Sequence, residues 1–131
     1  MPSSDTVRIL GFEADMTLVQ ALVPQSIADA TPVLSSAIDT RSYPRKRILV
    51  LWTNKEATAT THTMALTVTE SATSGGEYTA STTSGTLTAI SADGVQWATV
   101  KRNSAKPFIK VTLTGSHGDV DTISSAMVLF L

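Results

Sequence analysis

Residues 45–54, RKRILVLWTN, constrain the fold more than any other stretch of this chain. From Ile48 to Thr53 every side chain is apolar or β-favouring. In a strand, successive side chains point to opposite faces, so Ile48, Val50 and Trp52 share one face and Leu49, Leu51 and Thr53 the other. An apolar character on both faces predicts a strand covered on both sides, the first core strand of a sheet. The basic residues that lead into it, Arg45, Lys46 and Arg47, are expected to make an electrostatic contact with an acidic partner surface.

Cleaner alternation surrounds this run. Met64, Leu66 and Val68 alternate with Thr63, Ala65, Thr67 and Thr69, the pattern of a half-buried strand with threonine outward. Ile109, Val111 and Leu113 are expected inward, with Lys110, Thr112 and Thr114 outward. Val95, Trp97 and Thr99 alternate with Gln96, Ala98 and Val100 in a strand over 95–101, joined by Ala92-Asp93-Gly94 to a strand over 86–90. Turns are also expected at Ser74-Gly75-Gly76, at Thr83-Ser84-Gly85, over 103–106 and over 115–119, with a short strand over 77–81.

Earlier in the chain the pattern is mixed. Residues 17–23 place Leu18, Ala21 and Leu22 together as a helix, or Val19, Ala21 and Val23 together as a strand. The strand is preferred, and Pro24 is expected to end either one. Ser26 is expected to cap a short helical turn to Asp29, with a short strand over 33–38 after Pro32. About eight short strands at spacings near ten residues predict an all-β, single-domain β-sandwich of jelly-roll or Greek-key type. Residues 1–15 are read as an extended N-terminal arm and 16–131 as the sandwich. The arm's VRILGF is either an edge strand of its own sheet or a strand added to a neighbouring subunit.

At 131 residues, one domain can bury a core without metals or disulfides. A net charge of −1 argues against nucleic acid as a direct partner, although Lys101, Arg102, Lys106 and Lys110 extend the cluster of Arg41, Arg45, Lys46 and Arg47 toward a local basic face. With no cysteine, thiol catalysis and cysteine-ligated metals are excluded. No apolar run approaches the ~20 residues of a membrane span, and the N-terminus lacks the pattern of a secretory signal. A soluble product is therefore expected, made in the cytoplasm. Serine and threonine make up roughly a quarter of the residues, a bias that suits pleated surfaces and turns.

Catalytic signatures are missing. His62 and His117 are the only histidines, and neither lies in a nucleophile, P-loop, dinucleotide or zincin motif. The loop GSHGDVD brings Asp119 and Asp121 near His117 but lacks the spacing and terminal glutamate of a calcium hand. Glu13 and Asp15 share one strand face, as a solvated edge would. The expectation is a non-enzyme without cofactor or metal. Trp52, Tyr78, Trp97 and Phe108 are expected in the core, with Trp52 and Trp97 in contact across the sandwich; a sugar-stacking platform is the alternative. A last strand over 121–131, ending AMVLFL, is apolar on both faces and exposes a hydrophobic edge unless another element or a partner covers it. The candidate interface residues are therefore Val7, Ile9, Leu10 and Phe12 in the arm, and Met127, Leu129, Phe130 and Leu131 at the other end.

In three features the chain resembles the small β-sandwich structural proteins of tailed bacteriophages, closest to the jelly-roll capsid cement, decoration or staple proteins. These are the extended segment ahead of the sandwich, the course from RKRILVLWTN through MALTVTESATSGGEY, and FIKVTLTG followed by a small apolar strand. The likeness covers most of the chain after about residue 41 and carries no site residue with it. It implies a virion protein on the capsid exterior, assembled in the host cytoplasm. Its partner would be the major capsid protein, bridged across neighbouring capsomers, with the protein itself a homodimer or other homo-oligomer. A tail or fibre component and a carbohydrate-binding sandwich are the alternatives.

Overall fold

A computed structural model describes residues 6–8, 15–27, 31–44, 46–55, 63–89, 94–116 and 122–131. The strands are β1 (Thr6–Arg8), β2 (Asp15–Ile27), β3 (Val33–Leu34), β4 (Ile38–Asp39), β5 (Ile48–Lys55), β6 (Thr63–Ser71), β7 (Thr79–Ala80), β8 (Thr83–Gly85), β9 (Gly94–Val100), β10 (Phe108–Ser116) and β11 (Thr122–Phe130). A 3-10 turn at Thr40–Ser42 is the one helical element among the described residues, so none there is long and apolar enough to cross a membrane.

The strands form two antiparallel sheets. One is six-stranded, in the order β1-β2-β11-β5-β9-β8; the other runs β3-β10-β6-β7, with β4 also paired to β10. The pairing is nested once β1 and β8 are set aside and β3–β4 is taken as one broken strand. β2, the first, pairs with β11, the last; β3–β4 pair with β10, β5 with β9, and β6 with β7. An antiparallel ribbon folded on itself and wound around a core gives this order, which is the jelly roll. The protein is an all-β sandwich, as its alternation predicts.

The inner faces meet in one core. Ile48, Val50 and Trp52 of β5 pack with Met64, Leu66 and Val68 of β6, Ile109, Val111 and Leu113 of β10, and Ala126, Val128 and Phe130 of β11. Tyr43 stacks on Phe130 at 4.0 Å between ring centroids. The expected inward residues of β6 and β10 are the buried ones. On β5 the expectation of two covered faces holds for one face only, because Leu49, Leu51 and Thr53 are half-buried on the outside. β11 is not an edge: β2 flanks it on one side and β5 on the other, so its backbone is covered by its own chain.

β2 continues through Pro24 where the sequence predicts a stop, and Ser26 and Ile27 extend the strand where a helical turn is expected. Against β11, Ser124 faces Gln25 but Ala126 faces Leu22, so Val23 and Pro24 together oppose one residue; a second shift follows between Ala126 and Met127. Such bulges tolerate a residue without an N–H and bend the strand. They also explain why Leu22 and Ile27, five positions apart and of opposite parity, are both buried, while Val23 is exposed.

Other departures are local. The expected strand over 33–38 is broken into β3 and β4, and in the gap the Ser35 hydroxyl accepts the Val111 N–H at 2.9 Å. The predicted turn at 83–85 is strand β8, paired with β9, while 86–89 have no regular structure. Gly85, at φ +119, brings β8 so close to β9 that a Cβ would lie 2.9 Å from the Ala98 Cα. The turns at 74–76 and 103–106 form as expected, the second closed by Lys106 N–H to the Asn103 carbonyl at 3.1 Å. The Asp93 turn and the 117–121 loop fall outside the described residues.

Candidate functional site

The outer face of the six-stranded sheet is where the structure departs most from a solvated surface. β11 and β9 flank β5, and their registers set outward residues side by side. Leu49 lies between Leu129 and Thr99, with Leu18 of β2 beyond Leu129. Leu51 lies between Met127 and Trp97, with Gln20 beyond Met127. Thr53 lies between Ser125 and Val95. No position in these rows carries a charge. Leu18, Leu49, Leu51, Met127 and Leu129 half-bury one another, whereas Trp97 is 55% and Val95 65% exposed. At strand spacings of ~4.8 Å and ~6.8 Å between successive outward residues, the patch covers on the order of 400 Å². That is as large as the largest patches monomers usually show, which are often functional.

Beside the Leu51–Trp97 row the surface dips. Thr53 and Ser125, whose hydroxyls hydrogen-bond at 2.6 Å, floor a depression of about 430 Å³ rimmed by Pro24, Lys55, Val95 and Ile123. Below them the Ser124 hydroxyl bonds the buried Asn54 side chain. The hollow adjoins the β2 bulge, since Ser125 is the residue that Val23 and Pro24 jointly oppose.

Charge lies beyond the patch. Lys46, Arg47 and Arg102 line a depression of about 380 Å³ at one end of the sheet, where Arg47 exchanges backbone bonds with Leu131. The Arg102 guanidinium serves the fold: it donates to the carbonyls of Thr40, Tyr43 and Lys46 at 2.6 to 2.8 Å, clamping the corner before β5. Lys106 and Lys110 do not join a common basic face. Lys106 donates to Thr79 at 2.8 Å, and Lys110 lies 4.5 Å above the Tyr78 ring.

The opposite outer face has a different chemistry. Thr67, Thr69, Thr112 and Thr114 dominate it, as the alternation predicts. Phe108 lies there under Arg41 at 5.0 Å, and Arg41 forms a forked pair with Asp39 at 2.9 Å. The guanidinium hydrogen bond holds the Asp39 carboxyl below its ordinary range. Burial pushes the Tyr78 phenol up. The four aromatic residues therefore share no core and no platform. Trp52 is in the core, Trp97 lies on one outer face, and Tyr78 and Phe108 are associated with the other sheet. Trp52 and Trp97 belong to the same sheet and point to opposite sides of it, so they do not meet across the sandwich.

The remaining candidates fall as follows. Met127 and Leu129 lie in the apolar patch, and Leu131 is 45% exposed at its end. Phe130, expected at an interface, is fully buried in its own core and unavailable to a partner. Val7 lies in β1, opposite Met16 of β2, so the described part of the arm pairs with the next strand of its own sheet. Ile9, Leu10, Phe12, Glu13, Arg45, His62, His117, Asp119 and Asp121 lie outside the described residues. Among the described residues no three histidine, aspartate or glutamate side chains come together.

Sequence reading missed Leu18, Leu49, Leu51, Val95 and Trp97 as surface residues. Each belongs to an apolar run whose hidden face cannot be chosen from composition. Only β9 held a signal: small Ala98 and Val100 could pack inside as well as Trp97. No family model and no curated protein matches this chain.

Proposed function

We propose that this protein is a non-enzymatic structural subunit that binds and stabilises the assembled capsid shell of a tailed phage, acting as a cement or decoration protein through interfaces that bridge subunits. The observation that carries this reading is the uncharged Leu18–Leu49–Leu51–Trp97–Met127–Leu129 face. A sheet face of this composition gains free energy by leaving water, at roughly 25 cal/mol per Å² of apolar area, and offers nothing to bond or transform a small polar substrate. The jelly roll is compatible with the reading, since viral capsid proteins use it, but lectins and cupins share it and it decides nothing alone. The basic hollow at Lys46 and Arg47 suits an acidic partner surface such as the major capsid protein would have to offer. Many copies on one shell make modest single contacts sufficient through avidity.

The test is recovery of the protein with particles purified from the infected culture. Stoichiometric recovery on the head exterior is the expected result, together with loss of particle resistance to heat or low salt when the protein is absent. Recovery on the tail alone selects the tail or fibre alternative, and absence from particles ends both. The carbohydrate reading has less to stand on, because the exposed aromatics are divided between two sheets and those beside Arg41 and Lys110 are covered by cations.

A further inference from the structure

We propose that the occupant of the apolar face is a second copy of this chain, with Trp97 of each copy seated in the Thr53–Ser125 hollow of the other. This rests on the reading of that face as a docking surface, and it names the partner. A two-fold interface is self-complementary, so a projection and the recess that receives it must lie on the same surface of one subunit. This face has both. Trp97 projects from β9 in the row of Leu51, and the recess floored by Thr53 and Ser125 lies one row along. The axis lies in the plane of the interface and crosses the face between them, close to Leu51.

Charge and area agree with this occupant. The patch carries no charge, so two identical copies bring no like-charge pair to its centre, the usual obstacle to pairing a surface with itself. A hydrophobic centre of on the order of 400 Å² per copy, surrounded by Ile123, Pro24 and Val23, reaches toward the ~800 Å² per partner of a standard interface. A large aromatic seated in a recess near the middle is where binding energy usually concentrates. The hydroxyls on the recess floor already bond each other, so one of their two donors is satisfied before the recess is covered.

The experiment uses the purified full chain. Sedimentation equilibrium over a wide concentration range is expected to show a monomer–dimer equilibrium, weakened roughly thirtyfold or more by Trp97→Asp. Trp97 and Val95 are more than half exposed, so charged replacements there leave the fold intact, which circular dichroism checks. In a Trp52→Phe background, Trp97 alone reports its surroundings, and its emission is expected to shift to the blue as the dimer forms. Because the chain has no cysteine, Val95→Cys provides a single thiol near the axis, which a short bismaleimide is expected to join between copies, while Thr114→Cys on the other sheet stays unjoined.

A monomer at every concentration, with Trp97 emission that of exposed indole, overturns the proposal. So does a dimer whose affinity Trp97→Asp leaves unchanged. The two readings separate on particles. If the chain is monomeric yet Trp97→Asp abolishes its recovery with particles, the docking face stands and its partner is a different protein. If neither dimer nor particle binding responds to Trp97→Asp, both readings fall.

Discussion

Trp52 and Trp97 are both tryptophans on neighbouring strands, yet one is at the centre of the core and the other in solvent. The difference is parity alone: Trp52 pairs with Gln96, and Trp97 pairs with Leu51. Composition cannot see parity, which is why the sequence placed both indoles inside. Arg102 lines the basic hollow with Lys46 and Arg47, and its charge alone does not disclose its second role as a clamp on the corner before β5. Removing it as Arg102→Ala leaves the Thr40, Tyr43 and Lys46 carbonyls without their shared donor. Charge-assisted bonds of this kind are worth about 1.5–3 kcal/mol, and a loss of that order is expected in urea denaturation. Arg102→Lys is expected to restore only part of it, since an ammonium cannot fork to three acceptors set by a planar guanidinium. An unchanged urea midpoint would refute the clamp. Asp39 makes a prediction with a defined sign. Its carboxyl is held below its ordinary value of 3.8, chiefly by the Arg41 hydrogen bond. The pair's contribution is present above the unfolded value and is lost as pH falls through the lower folded one. The stability difference between the wild type and Asp39→Asn should therefore be level above about pH 5 and shrink below 3.8. A difference that does not change with acid would contradict it.

Among the elements, β6 and β10 were legible because strict alternation survives when one face meets the core and the other meets water. β2 was legible as a strand over 17–23 but not in its length or its faces, since its bulges shift the inward parity twice. β11 was legible as a strand and illegible in its place. An apolar pattern on both faces fits an edge awaiting a partner and an interior strand with an apolar outside equally well, and only pairing with β2 and β5 separates them. The bulge can be tested directly. Deleting Pro24 leaves Val23 alone opposite Ser125, which closes the bulge while Gln25 still faces Ser124 and Ile27 still faces Thr122. Ile27 is therefore expected to keep its place in the core, with stability within about 1 kcal/mol of the wild type in urea denaturation. A loss of about 2–5 kcal/mol, that of an emptied isoleucine site, would mean that the strand cannot pair without its extra residue.

At the scale of the whole molecule, the sandwich itself followed from turn spacing and strand alternation, and the apolar outer face did not. Leu18, Leu49, Leu51, Trp97, Met127 and Leu129 are drawn from β2, β5, β9 and β11, strands far apart in sequence that become neighbours only through the jelly-roll order. A surface assembled in this way has no local signature, because each strand contributes an ordinary apolar residue or two. Particle recovery and self-association therefore test it where inspection of motifs cannot.

The nested pairing also governs when the protein can come into being. β2 completes its ladder only against β11, more than ninety positions later, so the sheet holding the apolar face stays open until nearly all of the described chain has been synthesised. Loop closure over such distances makes folding slow, on the millisecond-to-second scale of all-β domains. During synthesis β5 has no β11 to lie against, so its edge is open to mispairing until β11 emerges. A sheet paired in this way closes only once its last strand is available, so the fold matures late in synthesis.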